Sequence, residues 1–202
     1  VNLGTATSQT FNFSSNLTIN AANTASIIAD GANYSPAVNV AGYIDYTGVG
    51  SGTEQIRPGS GTWTVTGNID LTGGILTGTP GDFIMNGAST TLYGNSQSMA
   101  SLTISANPVT LGSAVTVASF SVGTGNTFRA NANLTVTGSA TGDGTLTYTS
   151  GTPTVTLSGT GNLGGANPWA FYNLTLSITT SNLTTTATGS GGMTINGVLT
   201  TT

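Results

Sequence analysis

The fold of this chain is read most directly from residues 61–71, which have the sequence GTWTVTGNIDL. Apolar and polar side chains alternate in Trp63-Thr64-Val65 and again in Ile69-Asp70-Leu71, and the phrase Thr66-Gly67-Asn68 separates the two runs. Alternation with a period of two is typical of a strand that buries one face, whereas Gly and Asn favour tight turns. The stretch therefore predicts two very short strands joined by a turn.

Similar phrases recur along the chain. Asn-Leu-Thr followed by an aliphatic residue occurs at residues 16–19, 133–136 and 173–176, with a close copy at 101–104. From about residue 101 onward the apolar pairs recur roughly every 6 to 10 residues, so three steps make a coil of about 20 residues, as in known solenoid repeats. No window keeps a helical spacing of apolar residues over three turns. We therefore predict an all-β fold, a parallel β-solenoid (β-helix).

The first part of the chain differs from the rest. Its apolar runs are denser, as in Tyr43-Ile44-Asp45-Tyr46, and Pro36 and Pro58 punctuate it. We expect residues 1–60 to form an atypical N-terminal cap or docking β module, residues 61–202 to form the regular array of short strands, and Val1 to be a processed N-terminus or the start of an excised segment. The alternative fold consists of one or more pilin-like β-sandwich domains that assemble by donor-strand exchange.

The composition excludes several classes of protein. Charged residues are 4% of the 202 residues, against about 25% in ordinary globular domains. Apolar runs are too short for a membrane-spanning helix, which needs about 20 residues, so we expect no membrane insertion. The 37% of hydrophobic residues and the net charge of −4 argue against disorder. Two Arg residues and no Lys cannot neutralise a nucleic-acid backbone.

The residues needed for most catalytic chemistry are missing from the sequence. It has no His for general-base work, no Lys for Schiff bases and no Cys for thiolate chemistry or zinc. Asp70 and Asp82 are the carboxylates of the regular array that could lie one coil apart, as glycoside cleavage would require. The other role that carboxylates of this chain could have is a weak calcium site near Asp30 or Asp45. We predict no catalytic residues, no metal site and no cofactor, and therefore no enzyme.

Glycosylation sequons and aromatic residues are further candidates. The candidate glycosylation sites are Asn12, Asn16, Asn133, Asn173 and Asn182. Alternatively, Asn16, Asn133 and Asn173 could form stacked Asn ladders between coils. The run Trp169-Ala170-Phe171-Tyr172 could bind sugars, although we favour a role for Phe171 and Tyr172 in the core.

Residues 61–71 together with the Asn-Leu-Thr phrases resemble the Thr/Gly/Asn-rich β-strand-repeat (β-solenoid) surface or filament proteins of bacteria and archaea. The resemblance covers roughly residues 61–202. It implies an extracellular or cell-surface location and a structural or adhesive role. It brings no catalytic residues with it.

The termini lead to the functional hypothesis. Residues 193–202 keep a strand pattern to the last residue, and residues 1–3 are also apolar at both ends. We expect a structural subunit of an extracellular filament or surface layer that assembles head-to-tail with itself through strand edges or termini. The candidate contacts are Val1, Leu3, Ile195, Val198 and Leu199. Alternatives are an adhesin module that binds cell-surface glycans and, less favoured, a polysaccharide-degrading β-helix.

Overall fold

The computed structural model describes residues 9–19, 29–30, 35–46, 54–177, 185–187 and 189–202, and these form strands and no helix. The described strands are, in chain order, β1 (Thr10–Phe13), β2 (Leu17–Ile19), β3 (Ala29–Asp30), β4 (Ala37–Val40), β5 (Ile44–Tyr46), β6 (Glu54–Arg57), β7 (Thr62–Val65), β8 (Ile69–Asp70), β9 (Gly74–Leu76), β10 (Asp82–Met85), β11 (Thr90–Ile104), β12 (Val109–Val122), β13 (Thr127–Ala130), β14 (Leu134–Val136), β15 (Ala140–Thr141), β16 (Thr145–Thr147), β17 (Thr154–Leu157), β18 (Gly161–Gly164), β19 (Trp169–Phe171), β20 (Asn173–Leu176), β21 (Thr185–Ala187), β22 (Met193–Ile195) and β23 (Leu199–Thr201).

All pairings among these strands are parallel, and each joins one turn of the chain to the next. The molecule is therefore a parallel β-solenoid, as predicted. The alternative of a β-sandwich is wrong, because a sandwich of that kind is built from antiparallel strands.

Each turn contributes one strand to each of three faces. The first face contains β1, β4, β7, β10, residues 101–104 of β11, residues 119–122 of β12, β15, β18 and β21. The second contains β2, β5, β8, residues 90–93 of β11, residues 109–111 of β12, β13, β16, β19 and β22. On the third face, β3, β6 and β9 form a separate three-stranded sheet. It is followed by residues 97–99 of β11, residues 115–117 of β12, β14, β17, β20 and β23, which belong to the same sheet as the other two faces.

The length of a turn varies along the stack. The hydrogen-bonded neighbours Asn12 and Asn39 are 27 residues apart, whereas Thr103 and Ser121, also one turn apart, are separated by 18. The ladder crosses residue 60 without interruption, since β4 pairs with β7 and β5 with β8. The described part of residues 1–60 therefore stacks on the regular array with longer turns, and a docking role for this part remains a prediction.

The core is built by the alternation that the sequence shows. In β7, Trp63 and Val65 are fully buried while Thr64 faces outward. Inward residues of the first face stack in register down the solenoid, and this column contains Phe11, Val38, Trp63, Phe83, Leu102, Phe120, Ala140 and Leu163. The rings of Trp63 and Phe83 stack with centroids 6.0 Å apart. Burial of these apolar columns is the main favourable term in folding.

Two strands are much longer than the short segments predicted from the sequence. β11 has 15 residues and β12 has 14, and their pairing runs around all three faces with register shifts near Tyr93. At the corner of β11 the backbone turns through Asn95 and Ser96, which both have positive φ. The Asn95 side chain supports this corner by donating to the carbonyl of Leu71 at 3.2 Å. Strand pairing therefore continues around corners where the sequence pattern indicated breaks, although the backbone itself turns there.

The Thr-Gly phrases mark places where neighbouring turns come close together. A Cβ at Gly67 would lie 2.6 Å from the backbone carbonyl carbon of Gly42 on the preceding turn. Real Cβ atoms essentially never approach other heavy atoms that closely. Gly67 is therefore required by the packing of one corner on the next, which explains why Gly recurs in these phrases.

Candidate functional site

The predicted assembly contacts near the C-terminus lie on the last described turn. β22 pairs with β19 and β23 pairs with β20, and within the described residues no strand pairs with the opposite edge of either. We call this open edge of β22 and β23 the stack edge. Val198 and Leu199 are 61% and 53% exposed there, while Ile195 is half-buried against the core. Val1 and Leu3 lie outside the described residues.

Leu199 shows how the stack edge is built. It is in register with Leu174, which is 3% exposed, and so it occupies an inward position of the third face. It is exposed because no described turn covers it, whereas Leu174 has β23 beyond it. Within the part of the chain that the structure describes, no turn covers this inward position.

The candidate glycosylation sites in the described region are held by hydrogen bonds between turns. Asn12 accepts from the side chain of Asn39 at 2.7 Å, and Asn16 accepts from the backbone N–H of Tyr43 at 3.2 Å. Asn133 accepts from the backbone N–H of Thr154 at 2.9 Å. Asn12, Asn16 and Asn133 are exposed. Asn182 lies outside the described residues, and glycosylation of all five remains a prediction.

The expected Asn ladder takes a different form. Asn173 accepts from the backbone N–H of Val198 at 2.9 Å, and its amide donates to the Thr154 hydroxyl at 3.4 Å. Asn133 and Asn173 are therefore linked through Thr154 on the intervening turn and do not stack directly on each other. Asn12 and Asn39, which are in register on the first face, form a direct side-chain contact between two Asn residues. The short side chain of Asn reaches a backbone N–H of the next turn, and this contact replaces the ladder.

The carboxylates are arranged differently from the predicted pair. Asp70 lies on the second face, whereas Asp82 lies on the first face and accepts from the Ser101 hydroxyl at 2.6 Å. The residue directly opposite Asp70 is Asp45, on the preceding turn. The sequence did not predict this pair, because the local turn is longer than the average coil. The similarity of strands β5 and β8 was the one signal that pointed to it.

Asp45 and Asp70 lie in a shallow groove on the outer side of the second face. The groove has a volume of about 230 Å³, and its lining is Tyr43, Ile44, Asp45, Asn68, Asp70 and Tyr93. Tyr43 and Tyr93 are 40% and 38% exposed. Burial raises the pKa of Asp45 above its ordinary value, and the negative charges of Asp70 and then Glu54 raise it further. We call this feature the tyrosine groove.

The remaining candidates are mostly part of the core. Trp169 and Phe171 are each 1% exposed, and the Trp169 indole donates to the Gly144 carbonyl at 3.1 Å, so the favoured core role of this aromatic run is confirmed for Phe171. Tyr172 is half-buried and packs edge-on against Tyr148 with ring centroids 5.6 Å apart.

Glu54 is almost fully buried, with 2% of its surface exposed. Burial, together with a smaller effect of Glu54, raises the pKa of Tyr46.

The described residues contain neither a metal-binding cluster nor a membrane-spanning helix. No group of three or more His, Cys, Asp or Glu side chains that could hold a metal ion occurs among them. The side chain of Asp30 lies outside the described region. None of the described residues forms a helix long and apolar enough to cross a membrane.

Comparison with protein-family models, with curated proteins and with solved structures found no match to this chain. The fold alone defines the class of this protein, which is the parallel β-solenoid.

Proposed function

We propose that this chain is a structural segment of an extracellular filament or surface layer, in which β-solenoid turns of successive copies stack on one another. One observation carries the proposal: successive turns stay paired by parallel strands while turn length varies from 27 to 18 residues. Pairing between turns therefore depends on backbone hydrogen bonds and inward apolar residues rather than on one turn sequence. A turn supplied by another copy can meet the same requirements.

The stack edge is where this pairing would occur. Val198 and Leu199 are exposed, and Leu199 continues the inward column of the third face from Leu174. A turn placed on this edge would cover Leu199 and pair with β22 and β23. Head-to-tail contacts that do not close into a ring produce fibres.

The charge of the molecule supports association. With a net charge of −4 and 4% charged residues, the repulsion between copies is small. Outward positions of the strands are occupied largely by Thr, Ser and Asn, as at Thr64, Thr116 and Thr135. Such a surface is soluble through hydroxyl and amide groups, which suits the proposed extracellular location.

The test is assembly of the 202-residue polypeptide, followed by analytical ultracentrifugation and negative-stain electron microscopy. We expect filaments or end-to-end oligomers whose amount grows with concentration. Leu199→Asp should abolish them, because a charge would be buried in each contact. Thr135→Asp is the matched control, since it adds the same charge to an outward position of the same face and should leave assembly intact. Single particles at all concentrations, or equal assembly by Leu199→Asp, would refute the proposal.

A further inference from the structure

The tyrosine groove has features that a structural rod does not require. Large side chains on this solenoid are almost all inward, and Tyr43 and Tyr93 are two of four large hydrophobic residues that are exposed within the described region. The other two, Val198 and Leu199, lie at the stack edge, where a further turn would cover them. The exposure of the two tyrosines needs a separate explanation, because they lie on the side wall beside β5, β8 and β11.

The two tyrosines flank the groove at a defined separation. Tyr43 precedes β5, and Tyr93 lies in β11 opposite Asp70 of β8, so the rings belong to turns that are two strand spacings apart. Two spacings correspond to about 10 Å along the stack. The ring of Tyr93 is held against the next turn, where a Cβ at Gly112 would lie 2.6 Å from its Cε1 atom. The parallel ladder therefore fixes the distance between two partly exposed aromatic surfaces.

Hydrogen-bonding groups lie between the rings. The Asp45 and Asp70 carboxylates face outward on adjacent strands, and Asn68 lies next to them. Asp70 uses Oδ1 to accept from the backbone N–H of Thr72 at 2.8 Å, which fixes its orientation. Because an ionised carboxylate offers about four acceptor positions, both acids keep the capacity to accept from ligand hydroxyl groups.

The chemistry of the lining selects the class of ligand. Aromatic surfaces pack against the C–H faces of sugar rings, and carboxylates and amides bind sugar hydroxyls. The lining of the groove contains no cation, and its two carboxylates would repel a polyanion. On the second face, Arg129 is aligned with Thr91 but lies two turns further along the stack. A groove with acids between two separated rings is thus suited to a neutral sugar chain.

We propose that the tyrosine groove binds a neutral, unbranched polysaccharide, with Tyr43 and Tyr93 packed on two of its rings and Asp45 and Asp70 accepting from hydroxyls between them. This interaction would attach the solenoid to a glycan surface or matrix. The inference is independent of the filament proposal, because the groove lies within one copy and away from the stack edge.

Isothermal titration calorimetry with cellohexaose, chitohexaose and mannohexaose tests the proposal. We expect at least one of them to bind, and Tyr43→Ala and Tyr93→Ala each to weaken binding by about tenfold or more. Both residues are exposed, so circular dichroism should show the fold unchanged. Tyr148→Ala is the control, because it removes a tyrosine away from the groove and should leave the affinity unchanged.

One further variant and one further ligand sharpen the test. Asp70→Asn should weaken binding of the same oligosaccharide, and hexagalacturonate, a polyanion, should bind more weakly than the neutral chain. The proposal would be overturned if none of the three neutral hexasaccharides bound at millimolar concentration, or if binding were unaffected by both tyrosine substitutions. Tighter binding of hexagalacturonate would overturn the assignment to neutral chains.

Discussion

Asp45 and Asp70 lie directly opposite each other on the neighbouring parallel strands β5 and β8, and both side chains face outward. Like charges placed opposite each other in a sheet are destabilising. In a chain with only six acidic residues, this arrangement costs stability without contributing to the core. The proposed binding of a ligand at the tyrosine groove would account for this pair.

The first prediction concerns the pH dependence of this pair. The pKa of Asp45 is raised in the folded chain, so the stability that it contributes is fully present below its ordinary value of about 3.8 and is lost as the pH rises through the raised value. Asp45→Asn should therefore stabilise the protein at pH 7 and have little effect at about pH 3. Urea unfolding at both pH values measures this difference.

Asp143→Asn is the control for that measurement, because Asp143 is exposed at a corner and its Oδ1 accepts from the backbone N–H of Ala166. Asn retains this acceptor oxygen, and we expect no comparable gain at pH 7. A loss of stability in Asp45→Asn at pH 7 would contradict a raised pKa of Asp45 in the folded chain.

The second prediction concerns the close approach of turns at Gly67. Gly67→Ala should destabilise the fold by about 1–3 kcal/mol, because its Cβ would clash with the backbone of Gly42 and the corner must shift. Thermal unfolding followed by circular dichroism measures the loss. Gly192→Ala is the matched control, since a Cβ there would meet no atom within 4 Å. Equal stability of the two variants would show that the corners are not tightly packed.

The third prediction concerns the aromatic core of the first face. Trp63 is fully buried, stacks on Phe83 and donates its indole N–H to the Pro58 carbonyl at 3.3 Å. Trp63→Ala should lower the free energy of unfolding by about 3–5 kcal/mol through the cavity it leaves. Thr64→Ala, at the adjacent outward position, should change it by less than about 0.5 kcal/mol. Similar effects of both would contradict the inward position of Trp63 in β7.

The fourth prediction separates the structural role of Asn133 from its role as a sequon. Asn133→Ala should cost about 0.5–1.5 kcal/mol, because it removes the acceptor for the Thr154 backbone N–H. Asn133→Asp also destroys the sequon but retains an acceptor oxygen, so it should be the more stable of the two. Chemical unfolding of unglycosylated protein measures both variants. If they were equally destabilised, the hydrogen bond between turns would not be the reason.

Much of the fold follows from local pattern. The alternation in Trp63-Thr64-Val65 correctly placed two side chains in the core and one outside, and the recurrent short phrases correctly indicated a parallel solenoid. These features depend on properties of a few consecutive residues: the period of two in a strand and the preference of Gly and Asn for turns. They are therefore visible before any contact between distant residues is known.

The tertiary structure was needed to establish which residues become neighbours. The number of residues per turn changes along the stack, so the sequence has no fixed period from which the partner of Asp70 could be counted. Asp45, 25 residues earlier, meets it because the corners between β5 and β8 take up the extra residues while the ladder stays in register. Whether a few residues form a strand is a local property of the chain. Which residues on neighbouring turns lie side by side depends on how many residues each corner contains. For that reason the strands were predictable, and the tyrosine groove that they form together was not.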